Sequence, residues 1–218
     1  MILGIYGSGG LGCEIFDLAK QINADKKTWE KTVFINDFDR HSSIEGSEIL
    51  TFEEFQVAYP QNRAEIVIGV GEPKVREVLR QKVIAKGYSL GLLIHPSAFI
   101  GTQTHVAAGC IVQYGSFISC NVSVGENVLL QPHASIGHDS NIGNDSVISS
   151  FVSISGNCAI GARAYLAPGI PVKEKISVGS DSIIGMGAVV VRDIPGNCIA
   201  LGNPARPMKN NNENQVFK

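Results

Sequence analysis

Every sixth residue from Ile100 to Val190 is Ile, Val or Leu. Ile100, Val106, Val112 and Ile118 open the series and Val172, Val178, Ile184 and Val190 close it, sixteen positions with no slip of register. The residue after each aliphatic is mostly small (Gly101, Ala107, Gly125, Gly137, Gly161, Gly185), and the fourth after it is compact (Thr104, Cys110, Ser116, Ser140, Ala164, Ala188). Neither a helix nor an ordinary strand repeats every six residues. A coil with three flat faces of about six residues each does, with one aliphatic per face pointing inward and the small residue fitting the tight corner. The stretch therefore predicts a left-handed parallel β-helix built of hexapeptide repeats.

The ninety residues in front have a different grammar. Ile2 to Tyr6 reads as a buried strand, Gly7-Ser8-Gly9-Gly10-Leu11-Gly12 as a glycine-rich turn, and Ile15, Phe16, Leu18, Ala19 and Ile22 as the inner face of a helix. Strand, turn and helix in that order make an anion-binding βα unit, because glycines let the backbone approach a phosphate and the helix N-terminus points N–H groups at it. Thr32 to Ile35 predicts a second strand ending in Asn36-Asp37, where such folds grip a ribose or sugar hydroxyl. Thr51 is placed to cap a short helix through Phe52, Phe55 and Tyr59. Glu65 to Ile68 predicts a third strand, followed by Gly69-Val70-Gly71 and a helix through Val75, Val78, Leu79 and Val83. The expected fold is thus a small Rossmann-like α/β domain of three or four parallel strands over residues 1–92. A β-helix over 93–208 and a polar, frayed tail over 209–218 follow. The first domain is too short for the two halves that hold a full dinucleotide, so a mononucleotide or nucleotide sugar suits it better than NAD. A purely structural use of the glycines stays open.

Composition narrows the classes. A net charge of −2 with 17% charged residues gives no basic face for nucleic acid. No apolar run approaches the ~18 residues of a membrane span. The start of the chain lacks the pattern of a signal peptide, so a cytoplasmic location is expected. The five cysteines include no C-x-x-C pair, so neither a zinc ribbon nor a disulfide framework is expected. Cys110 and Cys158, at compact positions of the repeat, read as buried free thiols.

Five histidines are the natural acid–base candidates. His41 falls in a polar loop (Arg40-His41-Ser42-Ser43), and His95 and His105 lie at the start of the repeats, where capping or surface roles suffice. His138 differs: it stands two residues past an inward aliphatic in Ile136-Gly137-His138-Asp139, so its ring projects from the coil beside a carboxylate that could orient it. His133 and His138, five apart, also raise a zinc site, but the position two coils before His133 is Ser97. With fewer than three protein ligands a catalytic metal is not expected.

A glycine-rich α/β domain ahead of hexapeptide repeats, with Ile5-Tyr6-Gly7, Asn36-Asp37, Ile68-Gly69, His138-Asp139 and the closing Gly202-Asn203-Pro204-Ala205-Arg206, resembles the NeuD/PglD-like sugar acetyltransferases over nearly the whole chain. The resemblance implies an acetyl-CoA-dependent N-acetyltransferase acting on the amine of a nucleotide-linked amino sugar, a UDP- or dTDP-4-amino-4,6-dideoxyhexose, for glycan or glycoconjugate assembly. Direct transfer with no acyl-enzyme is expected if both substrates share one cleft, because proximity alone can lower the barrier, and no metal is expected. His138 matches the general base and Asp139 the acidic residue that tunes it. Ser8, Gly9, Gly10, Leu11, Asn36, Asp37 and Gly69 match the nucleotide-sugar site. Gly156, Pro168 and Met186 match an acetyl-CoA groove along the coils, with Val147 near the thioester. The resemblance also implies a homotrimer with each site between adjacent β-helices. Two positions depart from relatives, which often carry histidine where this chain has Leu11 and Val147. O-acetylation of a sialic acid or another sugar hydroxyl, and a scaffold that binds a nucleotide sugar without turning it over, remain as rival readings.

Overall fold

The computed structural model describes residues 1–38, 43–213 and 215–217; His41 lies outside them. Strand β1 (Ile2–Tyr6), helix α1 (Gly10–Lys26), β2 (Lys31–Ile35), β3 (Ser43–Ile44), β4 (Ser47–Leu50), α2 (Phe52–Ala58), β5 (Ala64–Ile68), α3 (Pro73–Ala85) and β6 (Ser89–Leu90) form the first part of the chain. They build one sheet of order β3-β4-β2-β1-β5-β6. β1 lies at its centre, parallel to β2 and β5 in a register that pairs Gly4 with Val33 and Ile66. Thr51 caps α2 through a full capping box with Glu54, worth about 1 kcal/mol. Three or four parallel strands are expected from the sequence. The sheet is wider, because β4 adds parallel to β2 and β3 folds back on it around Glu45-Gly46.

From Leu93 the chain winds into a parallel β-helix of two-residue strands stacked eighteen residues apart, as in the pairing of Ile111 with Leu129. Face one runs from Leu93–Ile94 to Ile183–Ile184, face two from Phe99–Ile100 to Pro171–Val172, and face three from His105–Val106 to Ser177–Val178. A hairpin of Cys198–Leu201 and Arg206–Asn210 closes the end of face one. The predicted ladder is the core: Val112, Ile118, Val124, Leu130, Ile136, Ile148 and Leu166 have no exposed surface, and burying each stabilises by on the order of 1.5–3 kcal/mol.

The corner geometry differs from the sequence expectation. The left-handed residue is not the small one after the aliphatic but the third after it: from Gln103 to Gly187 each has φ between 55° and 80°. Asn and Asp tolerate this region better than other side chains, and they recur there as Asn121, Asn127, Asp139, Asp145 and Asn157. The small residue meets a different constraint. A Cβ on Gly137 would lie 2.5 Å from Gly156 N, in the coil above.

The α/β part sits on one side of this prism. Leu3, Ile5, Ile15, Leu18 and Ile22 pack with Leu93, Ile111, Leu129 and Val147, the outward residues of face one. Helix α3 grips the vertex between faces three and one. There Arg80 makes a bidentate pair with Asp145 (2.9 and 2.9 Å), and Arg163 bridges Glu77 (2.9 Å) and Asp181 (2.7 Å). Arg76, fully buried, donates to Asn127 O, Ile68 O and Val70 O. Burial pulls its guanidinium down to about 10. The tail expected to fray instead holds to both parts: Asn211 Nδ2 donates to Asp181 O at 2.9 Å, and Val216 N donates to the Glu72 carboxylate at 2.9 Å.

Candidate functional site

Two places have chemistry to offer, and they lie on opposite sides of the prism. The first is a cleft of about 410 Å³ at the carboxyl ends of β1, β2 and β5, which gathers Ser8, Gly9, Gly10, Leu11, Asn36, Asp37 and Gly69. The glycines of the loop divide by their surroundings. A Cβ on Gly12 would lie 2.2 Å from Gly7 O, and one on Gly7, at φ +124°, would lie 2.6 Å from Gly69 O. Those two let helix and strands pack. A Cβ on Gly9 or Gly10 would meet nothing within 4 Å, so internal packing does not require glycine there. Gly9 caps α1 with no side-chain bond, the first turn carries no acidic residue, and the first helical bond is Cys13 N to Gly9 O at 3.0 Å. The preceding N–H groups and the positive end of the helix dipole open on the cleft, an anion-receptive arrangement.

Asn36 Nδ2 donates to Ser8 Oγ at 2.6 Å and Phe38 N to Asn36 Oδ1 at 2.9 Å, which ties the end of β2 to the glycine loop. Asp37 is more occupied than a simple hydroxyl grip would be. Phe52 N donates to its Oδ1 (2.8 Å), and Lys82 Nζ (2.8 Å) and the Tyr6 hydroxyl donate to its Oδ2. Burial opposes its ionisation, but these three donors outweigh it and hold the carboxyl below the ordinary aspartate range. Burial first, then the same bond, pushes the Tyr6 phenol far up. Asp37 Oδ1 keeps capacity for a second donor.

The second place is the vertex between faces two and three. His138 projects from it, half exposed, with Nδ1 2.6 Å from Asp139 Oδ2. Asn121, one coil below, donates to Asp139 Oδ1 at 2.6 Å. Asn121 and then His138 hold the Asp139 carboxyl below its usual value. An ionised carboxylate only accepts, so the ring carries its hydrogen on Nδ1 and leaves the Nε2 lone pair open. Gly156, one coil above, forms a floor for the ring, since a Cβ there would lie 2.7 Å from His138 Nε2.

The remaining positions scatter. Pro168 and Met186 lie on the vertex between faces one and two, around face two from His138, so one chain does not join them to Gly156 in a single groove. Val147 is a correction. It points out of face one into the packing against α1 and is 2% exposed, so it offers a thioester no surface. His133 is on the Pro168 vertex, between Tyr114 and Phe151, and is not paired with His138. Among the described residues no group of three or more His, Cys, Asp or Glu could hold a metal.

Residues 3–83 match the PglD N-terminal domain family and residues 121–156 the bacterial transferase hexapeptide (six repeats) family. The acetyltransferase domain of PglB from Neisseria gonorrhoeae FA1090 is 27% identical, with a TM-score of 0.89 over 95% of this chain and 99% of that one. Its complex with acetyl coenzyme A aligns at 26% identity. WeeI from Acinetobacter baumannii AYE is 25% identical, with a TM-score of 0.88 over 95% and 100% of the two chains. The first part of the chain thus matches a PglD-type domain and part of the β-helix matches hexapeptide transferases, in the order found in these acetyltransferase structures. PerB from Caulobacter crescentus, in complex with CoA and GDP-perosamine, shares the fold at 23% identity and a TM-score of 0.87, over 95% and 97% of the chains. No curated protein sequence matches significantly.

The apolar wall of the cleft was not expected from the sequence. Val70, Val75, Leu79 and Phe38 line it beside the glycines. Val75 and Leu79 follow the 3.6-residue period of α3, so they read as core. Asn121 was also missed, although its place eighteen residues before Asp139 is the coil repeat and was available as a signal.

Proposed function

We propose that the chain transfers the acetyl group of acetyl-CoA to the amine of a nucleotide-linked amino sugar, a UDP- or dTDP-4-amino-4,6-dideoxyhexose. The observation that carries this reading is the exposed Asn121–Asp139–His138 relay with Nε2 open. Asp139 fixes the tautomer and stabilises the imidazolium that forms, the role of a base's carboxylate partner. The amine nitrogen forms the new bond to the thioester carbonyl, its proton passes to His138 Nε2, the carbon–sulfur bond breaks, and CoA leaves as a thiolate that takes up a proton. The nearest hydroxyl bonded to His138 is Ser140 Oγ, which donates to the backbone carbonyl and not to the ring. That arrangement supports direct transfer within a shared cleft over an acyl-enzyme, with proximity supplying several kcal/mol of the barrier.

In the same reading the N-terminal N–H groups of α1 take the pyrophosphate, and Asn36 and Asp37 face the nucleoside. The α/β part covers face one and the three–one vertex, so His138 of the same chain lies on the side turned away from it. A homotrimer resolves this: the cleft of one chain meets the His138 vertex of another. Acetyl-CoA then lies along the seam, between Gly156 of one chain and the Pro168–Met186 vertex of its neighbour. The likeness to the PglB domain, which binds acetyl coenzyme A, supports the donor. The test is free-thiol release from acetyl-CoA with a panel of UDP- and dTDP-amino sugars and their hydroxyl counterparts. Turnover with a 4-amino acceptor is expected; thiol release only with hydroxyl acceptors, or with none, would refute the assignment.

A further inference from the structure

The last residues return to the mouth of the cleft. Asn211, 5% exposed, fixes the chain to the β-helix through Asp181 O and Asn197 O. Val216 N and Phe217 N then both donate to the Glu72 carboxylate, at 2.9 to 3.1 Å. Glu72 is the N-cap residue of α3, yet its side chain does not cap that helix. It is spent on the tail instead. Glu72 directly follows Gly69-Val70-Gly71, the cleft wall, so this anchor sets Phe217 against that wall. A Cβ on Gly71 would lie 3.5 Å from the Phe217 ring and 3.8 Å from Leu11 Cδ2. The other edge of the ring meets Tyr165 of face one, centroids 5.6 Å apart and planes at 83°. Phe217 remains 53% exposed, so a large part of its surface is open to whatever occupies the space in front of it.

Leu11 and Gly71 line the cleft, and Phe217, backed by Tyr165, stands just beyond Gly71 as an apolar rim on the side nearest the β-helix. Asn36, Asp37 and Phe38 stand on the other side. A nucleotide sugar anchored by its pyrophosphate at the start of α1, with its nucleoside toward Asp37, extends its hexose toward that rim. We infer that Phe217, carried there by the C-terminal strap, is a specificity-determining residue that selects a 6-deoxyhexose over its 6-hydroxy counterpart; this rests on the nucleotide-sugar reading above. The methyl and C–H face of a dideoxyhexose pack on the aromatic ring, whereas a C6 hydroxyl turned to Leu11 and Phe217 finds no hydrogen-bonding partner and pays for its desolvation.

Steady-state kinetics on the full chain test it, with acetyl-CoA and two acceptors that share one nucleotide and differ only at C6. Phe217→Ala should raise KM for the 6-deoxy acceptor and leave KM for acetyl-CoA unchanged. It should lower the preference for the 6-deoxy sugar by roughly tenfold, the scale on which pockets discriminate one small group. Phe217→Leu, still apolar, should keep most of the preference, and a chain ending at Asn212 should behave like Phe217→Ala with the wild-type melting temperature. Unchanged KM and preference in Phe217→Ala, or in the shortened chain, would overturn the inference while leaving the acetyltransferase reading standing. If the wild type turns over neither acceptor, that reading fails first. Calorimetric titration then decides on Phe217 alone: the alanine variant must weaken binding of the nucleotide sugar and not of the bare nucleotide, and equal loss or no loss refutes it.

Discussion

Two vertices of the β-helix carry the same device and put it to different use. At one, Asn121 Nδ2 donates to Asp139 Oδ1 at 2.6 Å; at the next, Asn127 Nδ2 donates to Asp145 Oδ1 at 2.7 Å. All four residues are left-handed, with φ of 55°, 60°, 56° and 62°, and each pair spans one coil. The second pair lies under α3 with no exposed surface, and its carboxylate is consumed by Arg80. The first is open to solvent, and its carboxylate meets a histidine. An Asn-over-Asp corner is thus a structural unit in itself. What stands outside the prism decides whether its charge holds two domains together or polarises an imidazole.

That contrast predicts unlike losses. The largest is expected at the open vertex: His138→Ala should lower kcat by on the order of 10²–10⁴, the share of a positioned base, with an unchanged melting curve. Near-native turnover under saturating substrates would break the comparison on its functional side. Next, Asp145→Ala strands Arg80 in the junction and should cost about 3 kcal/mol, read by denaturant unfolding; a loss within the range of ordinary surface substitutions would show that the junction is not held by this pair. The smallest effect belongs to Asn121→Ala. The Asp139 carboxyl is lower in the folded chain than in the unfolded one, so its stabilisation is present above the ordinary aspartate value of about 3.9 and fades as pH falls through the folded value. Removing the Asn121 donor should move the folded value back up and narrow that window. A carboxyl-carbon NMR titration of Asp139 reads this directly, and no upward movement would transfer the credit to His138.

The sequence made the coil legible because each inward position obeys one local rule, repeated until chance is no explanation. His138 was legible for the same reason, since the register alone sets it outside the core. Outward positions carry a fainter mark, of period eighteen instead of six: on face one Leu93, Ile111, Leu129 and Val147 are all apolar. Val147 continues that row and is roofed by α1, whereas Ser153, which follows Ser135 on face two, is exposed; the row is legible only once the coil length of eighteen is known. The hairpin at Ser43–Leu50 escaped notice because its strands are short and half-buried, with too few residues to show alternation. The tail was misread from its polar composition. Its anchor, Glu72, is 144 residues away from Val216 in the chain, and no local pattern announces a contact of that span.

The eighteen-residue coil also sets an arithmetic for change in this molecule. Insertions in the β-helix act modulo three repeats. A segment of eighteen residues added below Ile118 would lengthen the prism by one layer and return every later side chain to its own vertex. A segment of six would preserve the ladder and the stability it brings, yet rotate everything above it by one face, carrying His138 to the vertex that α3 covers. The core would accept both lengths equally. Only the whole-turn insertion would keep the imidazole facing away from its own nucleotide cleft, so growth and decay of such chains should proceed in layers.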